Sequence, residues 1–170
     1  LHEDGLADVA DGFGGGRDKA TKLEIMLDSR LGTFGALILV VSFFAKLSAL
    51  AALPKSVVLP SLVAAHTLSR GVLPFMAMTL PYARKEGLAA TAGRPDAATA
   101  ATAATLALVI GLFVLPWEEA IGAALMAIAA AAGMALLAMR QIGGQTGDVL
   151  GSAEQIGETA ILLLLASRLG

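Results

Sequence analysis

Three aspartates near the start of the chain have the type and spacing to do chemistry. Asp4, Asp8 and Asp11 stand at i, i+4 and i+7, which on a helix at ~100° per residue keeps them within roughly 60° of one another. Leu6, Ala7, Val9 and Ala10 fill the positions between, so the acids form one stripe on an otherwise apolar helix. Like charges on one face repel, and a cation among them would relieve that. The ligands offered are oxygens, the chain has no Cys, and the one nearby His is His2. Hard oxygen donors suit Mg²⁺ or Mn²⁺ better than zinc. The competing reading is a solvated acidic face.

Further residues of this kind lie downstream. Asp28-Ser29-Arg30 places a carboxylate, a hydroxyl and a guanidinium together, either as solvated helix-end groups or facing the acidic stripe across a glycine loop. His66 and Arg70 are i and i+4, with Ser69 beside them: a buried pair, or an arginine presented to an anion, since guanidinium grips phosphate oxygens in a fork. Glu154 and Glu158 repeat the i, i+4 spacing. They can bind metal, pair with Arg70, or mark a helix start, where acids are favoured. Lys46 lies inside an apolar run, either snorkelling to an interface or serving a function. The string Gly143-Gly144-Gln145-Thr146-Gly147-Asp148 offers backbone N–H groups for an anion and one more carboxylate.

The elements that must position these groups are set by an apolar chain. Of 170 residues 56% are hydrophobic and 15% charged, against about 25% charged in a soluble domain, and mean hydropathy is +0.76. Net charge is −2, so no basic surface points to nucleic acid as a partner. Without Cys there are no disulfides and no thiol chemistry. Gly12 and Gly14-Gly15-Gly16 end or loosen the first helix, and Asp18 caps a second from Lys19 to about Leu31, too polar and short to span and so interfacial.

Five apolar segments follow: 33–53, 56–80, 97–115, 120–139 and 153–169. Spanning takes about 20 residues; the first four qualify, and the fifth is short enough to span only in part. The polar connection 81–96 and the glycine-rich connection 140–152 separate the later segments. Antiparallel spans put the N-terminal region and both connections on one side, with eight of the twelve basic residues (Arg17, Lys19, Lys22, Arg30, Arg84, Lys85, Arg94 and Arg140). An excess of Lys and Arg marks the cytoplasmic side. The expected fold is therefore all-α: a polytopic transmembrane helical bundle with a cytoplasmic acidic helix and an interfacial helix, one membrane-embedded catalytic domain over 1–170. The chain opens without Met in the middle of a charged motif, which reads as a piece of a longer protein whose N-terminal part is missing.

Four strings taken together, His2-Glu3-Asp4-Gly5-Leu6-Ala7-Asp8-Val9-Ala10-Asp11-Gly12, Glu24 to Thr33, Ser69-Arg70 and Gly143 to Asp148, resemble the adenosylcobinamide-GDP ribazoletransferase family, the cobalamin synthases of the bacterial inner membrane. The likeness runs in order from residue 1 to the C-terminus. It implies a Mg²⁺-dependent reaction in which α-ribazole, or its 5′-phosphate, attacks adenosylcobinamide-GDP and releases GMP, with the site facing the cytoplasm. Carried over residue by residue, Asp4, Asp8 and Asp11 are metal ligands. Asp28 and Asp148 are candidates for a further ligand or general base, with Arg30 beside them. Arg70, Ser69, His2, Gln145, Thr146 and Gly147 are substrate-binding candidates, and Arg30 and Arg70 phosphate clamps. Partners are the two substrates and the bilayer; the oligomeric state stays open, a homo-oligomer among the options. The rival from another class is a cation-coupled transporter, which also uses intramembrane acids and broken helices.

Overall fold

A computed structural model gives the fold for residues 2–84 and 93–170. The elements in order are α1 (His2–Gly15), α2 (Lys19–Ile25), α3 (Thr33–Ala52), α4 (Lys55–Gly71), α5 (Leu73–Thr79), α6 (Ala97–Val114), α7 (Trp117–Ile142) and α8 (Gly147–Leu169). Lys85 and Glu86 of the expected 81–96 connection lie outside the described residues.

Among the described residues, five spans are long and apolar enough to cross a membrane: α3, α4 with α5, α6, α7 and α8. Their outward faces carry large apolar side chains, among them Phe43, Phe44, Phe113, Trp117 and Leu125. A continuous apolar coat of that extent suits lipid rather than water. The fold is thus an all-helical polytopic bundle, as the apolar runs predict.

Local chemistry sets several helix ends. Asp18 accepts from Thr21 N at 3.0 Å to start α2, and Asp96 accepts from Thr99 N at 2.7 Å to start α6. The second span breaks at Val72. The cause is Pro74, which lacks an N–H and crowds the carbonyl four residues back.

Two expectations need correction. The second helix ends at Ile25 rather than near Leu31. The Asp28 carboxylate instead accepts from its own neighbour, Arg30 N, at 3.0 Å, a local turn bond that competes with helix. The fifth span begins at Gly147, inside the string read as a glycine-rich connection, and runs for 23 residues. That is about 35 Å of helix, enough for a hydrocarbon core of about 30 Å. Thr146 caps it, accepting from Val149 N at 3.2 Å. The true connection is Gly143 to Thr146, with Gly143 at φ 71° closing α7 through its N–H to Ala138 and Met139 carbonyls. That left-handed turn is one only glycine adopts without cost.

α8 is the central helix and touches α1, α3, α4, α5 and α7. Two apolar cores flank it: one with Ala64, Leu68, Ala123, Ile161 and Leu165, the other with Val9, Met76, Met134, Ile142 and Val149. The turns from Glu154 to Glu158 lie between the two cores along α8, and both glutamates are buried.

Candidate active site

α1 lies directly on the start of α8 because both helices are small where they meet. A side-chain carbon built on Gly5 would fall 2.8 Å from Asp148 O and 2.9 Å from its Cα. Ser152 Oγ donates to Gly5 O at 3.0 Å. This close approach brings Asp148 to the stripe of α1. The Asp8 carboxyl is pushed up to about 6, first by burial and then by the charges of Asp4, Asp148 and Asp11, with Arg84 opposing. Charge repulsion among carboxylates raises a pKa in this way.

Arg84 donates from Nη2 to Asp148 Oδ2 at 3.2 Å, and Thr146 Oγ1 donates to the same oxygen at 3.2 Å. Arg84 is delivered by a short docking contact. Gln145 N donates to Pro81 O at 2.8 Å and Ala83 N to Gln145 O at 2.9 Å, which lays residues 81–84 along the α7–α8 connection. Arg84 Nη1 is buried and has no hydrogen-bond partner among the described residues.

The stripe divides. Asp4 and Asp8 act on Asp148, whereas Asp11 Oδ2 accepts from Gly32 N at 2.8 Å and its Oδ1 from Gly35 N at 2.9 Å. Those bonds tie α1 to the N-terminus of α3, where N–H groups lack helical partners. Asp28 and Arg30 pair with each other, at 2.5 Å. They line a cleft of about 520 Å³ with Asp11. Arg30 holds Asp28 down at about 2, which leaves it a weaker base than Asp8. Asp4, Asp8 and Asp148, with Asp11 alongside, offer oxygen donors only, the kind a hard divalent cation takes, and with one neighbouring arginine they leave negative charge to balance.

A second polar layer joins α1, α3, α4 and α8. Arg70 Nη1 is 2.7 Å from Glu154 Oε1 and 3.0 Å from His66 Nδ1. His2 Nδ1 is 3.1 Å from Glu154 Oε2. Ser69 Oγ donates to Glu154 Oε1 at 3.2 Å, and Gln155 Nε2 to Glu154 Oε2 at 2.8 Å. Lys46 Nζ sits 2.7 Å from Glu158 Oε1 and donates to Gln155 Oε1 at 2.6 Å. His66 Nδ1 lies 2.8 Å from Glu158 Oε2. So Lys46 turns inward to a carboxylate, and Glu154 takes Arg70. His66, Glu154 and Glu158 are the one group of three metal-capable residues among the described residues with ligand atoms all within 4.8 Å. Lys46 and Arg70 already balance its two carboxylates, so it needs no ion.

Of the sequence candidates, Asp4, Asp8, Asp148 and Thr146 come together, with Gly147 between the last two. His2, Ser69 and Arg70 share the Glu154 layer. Asp28 and Arg30 line a separate cleft that they share with Asp11. Sequence reasoning did not single out Arg84 or Gln155. Arg84 is one of three basic residues in a polar connection and no spacing marks it; Gln155 lies between two glutamates in an apolar span, where a buried polar residue is a usable signal.

A family model described as cobalamin-5-phosphate synthase matches residues 1–166. Curated relatives are named adenosylcobinamide-GDP ribazoletransferase. That of Bradyrhizobium diazoefficiens is 48% identical over 98% of this chain and 65% of its own length. One from a Sinorhizobium species is 46% identical over 98% and 67%, and that of Mesorhizobium japonicum 46% over 96% and 63%. The chain therefore spans about two thirds of the length of these relatives. No solved structure matches it. With the model matched over nearly its whole length, the chain belongs to the cobalamin-5-phosphate synthase family.

Proposed function

We propose that the chain is the membrane-embedded catalytic part of a Mg²⁺-dependent adenosylcobinamide-GDP ribazoletransferase. A ribose hydroxyl of α-ribazole, or of its 5′-phosphate, attacks the corrinoid-linked phosphorus of adenosylcobinamide-GDP. The new P–O bond joins the two halves, the P–O bond to the guanosine phosphate breaks, GMP leaves, and the hydroxyl proton passes to a carboxylate. The product is adenosylcobalamin or its 5′-phosphate. The observation that carries this reading is the gathering of Asp4, Asp8 and Asp148 beside Arg84, in a chain whose relatives bear that name.

Asp4, Asp8 and Asp148 would hold Mg²⁺, with Asp11 close by as it anchors α3. Bound there, Mg²⁺ supplies charge stabilisation for phosphoryl oxygens and lowers the cost of deprotonating the hydroxyl. Arg84 orients Asp148 and offers its buried Nη1 to a phosphate oxygen. Asp28 is a poor proton acceptor, because Arg30 beside it holds its carboxyl low. The basic residues favour the bacterial cytoplasmic membrane with this site on the cytoplasmic side. Nothing specific favours the cation-coupled transporter, since Glu154 and Glu158 each already face a cation of the chain.

The test is GMP release by the full-length protein in nanodiscs supplied with adenosylcobinamide-GDP, α-ribazole and Mg²⁺. Asp8→Asn keeps the side chain's shape and loses its charge. Its turnover should fall by about 100-fold or more, the scale of losing an electrostatic contact made in the transition state, and excess Mg²⁺ should recover part of it. No GMP release by the unsubstituted protein defeats the proposal.

A further inference from the structure

A cavity of about 500 Å³ opens between α5, residues 93–95 and the start of α8. Leu73, Pro74 and Leu150 make its walls apolar, and Arg70 and Arg94 line it as cations. Gln145 lines it too and is 1% exposed. Gln145 Nε2 donates to Ala77 O at 2.9 Å. A carbonyl only accepts, so that bond fixes which end of the amide is which. The other end, Oε1, is buried and has no hydrogen-bond partner among the described residues. A buried acceptor left without a donor is costly, and an N–H brought by a ligand would remove that cost.

The substrates of the proposed reaction differ at this point. The base of α-ribazole is an N-glycosylated benzimidazole, whose remaining ring nitrogen accepts and which carries no N–H. Guanine carries a ring N–H and an amino group, both donors. The cations suit a nucleotide as well. Arg94 lies over the Tyr82 ring, its Cζ 5.2 Å from the centroid. Arg70 commits Nη1 to Glu154 and His66, and a guanidinium has further N–H groups for phosphate. Gln145 also stands three residues before Asp148, in the connection that leads into α8, so a base held here keeps its phosphates near the acidic end of α8.

Resting on the transferase reading, we propose that this cavity takes the guanine nucleotide half of the activated corrinoid, the half that leaves as GMP. Gln145 Oε1 accepts from a guanine N–H, and Arg70 and Arg94 hold phosphate oxygens.

The experiment measures binding to the full-length protein in nanodiscs of GMP and of purine riboside 5′-monophosphate. The second nucleotide keeps the phosphate and the ring face but has no N–H on its base. The unsubstituted protein should bind GMP about tenfold more tightly, the scale of one hydrogen bond to an otherwise unsatisfied buried group. Gln145→Leu should bind both nucleotides equally, at the weaker affinity, with the KM for α-ribazole unchanged. Arg94→Gln should weaken both alike. Equal binding of the two nucleotides by the unsubstituted protein overturns the assignment, and that comparison needs no substitution to fold. A raised KM for α-ribazole with GMP affinity intact in Gln145→Leu also overturns it, giving the cavity to the incoming nucleoside. Absence of turnover by the unsubstituted protein overturns the transferase reading itself. Intact turnover without a GMP preference overturns this assignment alone.

Discussion

Gly5→Ala tests the contact that builds the acidic site. The added carbon would stand 2.8 Å from Asp148 O and 2.9 Å from Asp148 Cα. Both are backbone atoms, so no side chain can swing aside. To reach ordinary contact the helices must part by about 0.6 Å. The same shift stretches the Ser152 Oγ to Gly5 O bond from 3.0 Å to about 3.6 Å, outside hydrogen-bond range. Two energies then oppose. Overpacking costs about 1–3 kcal/mol, and replacing a helical glycine by alanine returns about 1 kcal/mol of helix propensity. Net destabilisation should therefore be about 0–2 kcal/mol, small enough for the protein to fold. Activity is more exposed, because Mg²⁺ demands near-ideal octahedral geometry and misplacement on the ångström scale can cost about 100-fold. GMP release should fall about 10- to 100-fold and the Mg²⁺ requirement should rise. The control is Gly133→Ala on α7, where a side-chain carbon meets nothing within 4 Å; it should turn over normally and melt no earlier. If Gly5→Ala matches Gly133→Ala in turnover and Mg²⁺ requirement, the α1–α8 spacing does not set the site.

Two more expectations follow from the charges. Asp8 is raised from 3.8 to about 6, so the fold favours its protonated form; without Mg²⁺ its stabilising contribution is fullest below its ordinary value and is lost as pH rises through about 6. Mg²⁺ needs the carboxylate, so the gain in unfolding temperature on adding Mg²⁺ should be small at about pH 5 and full by about pH 7.5; equal gains at the two pH values refute the assignment. Lys46→Met removes the cation 2.7 Å from the buried Glu158 carboxylate, a loss of about 3–5 kcal/mol for a broken buried pair, here toward the lower end because His66 stays 2.8 Å away. Thermal unfolding in detergent should show it, and Lys46→Met with Glu158→Gln should recover most of the loss; a single variant as stable as the parent contradicts an inward-facing Lys46.

The sequence by itself carries what depends on local angle and length. Apolar runs near the bilayer thickness become five spans, and the spacing of Asp4, Asp8 and Asp11 gives one stripe on α1. Asp18 and Asp96 cap their helices within a few residues of themselves. Periodicity fixes the direction in which a side chain leaves its own helix axis, and nothing about which helix waits there. So the tertiary structure alone decided that Asp11 is spent on the start of α3, that Glu154 takes Arg70 while Glu158 takes Lys46, and that Arg84 reaches Asp148. The glycine-rich string around Asp148 shows the reason. Taken locally, its glycines weaken a helix and predict a connection. In the fold they let two backbones meet, with Gly5 against Asp148 and Gly151 against His2, and the packing gained across α1 and α8 outweighs the propensity lost within either.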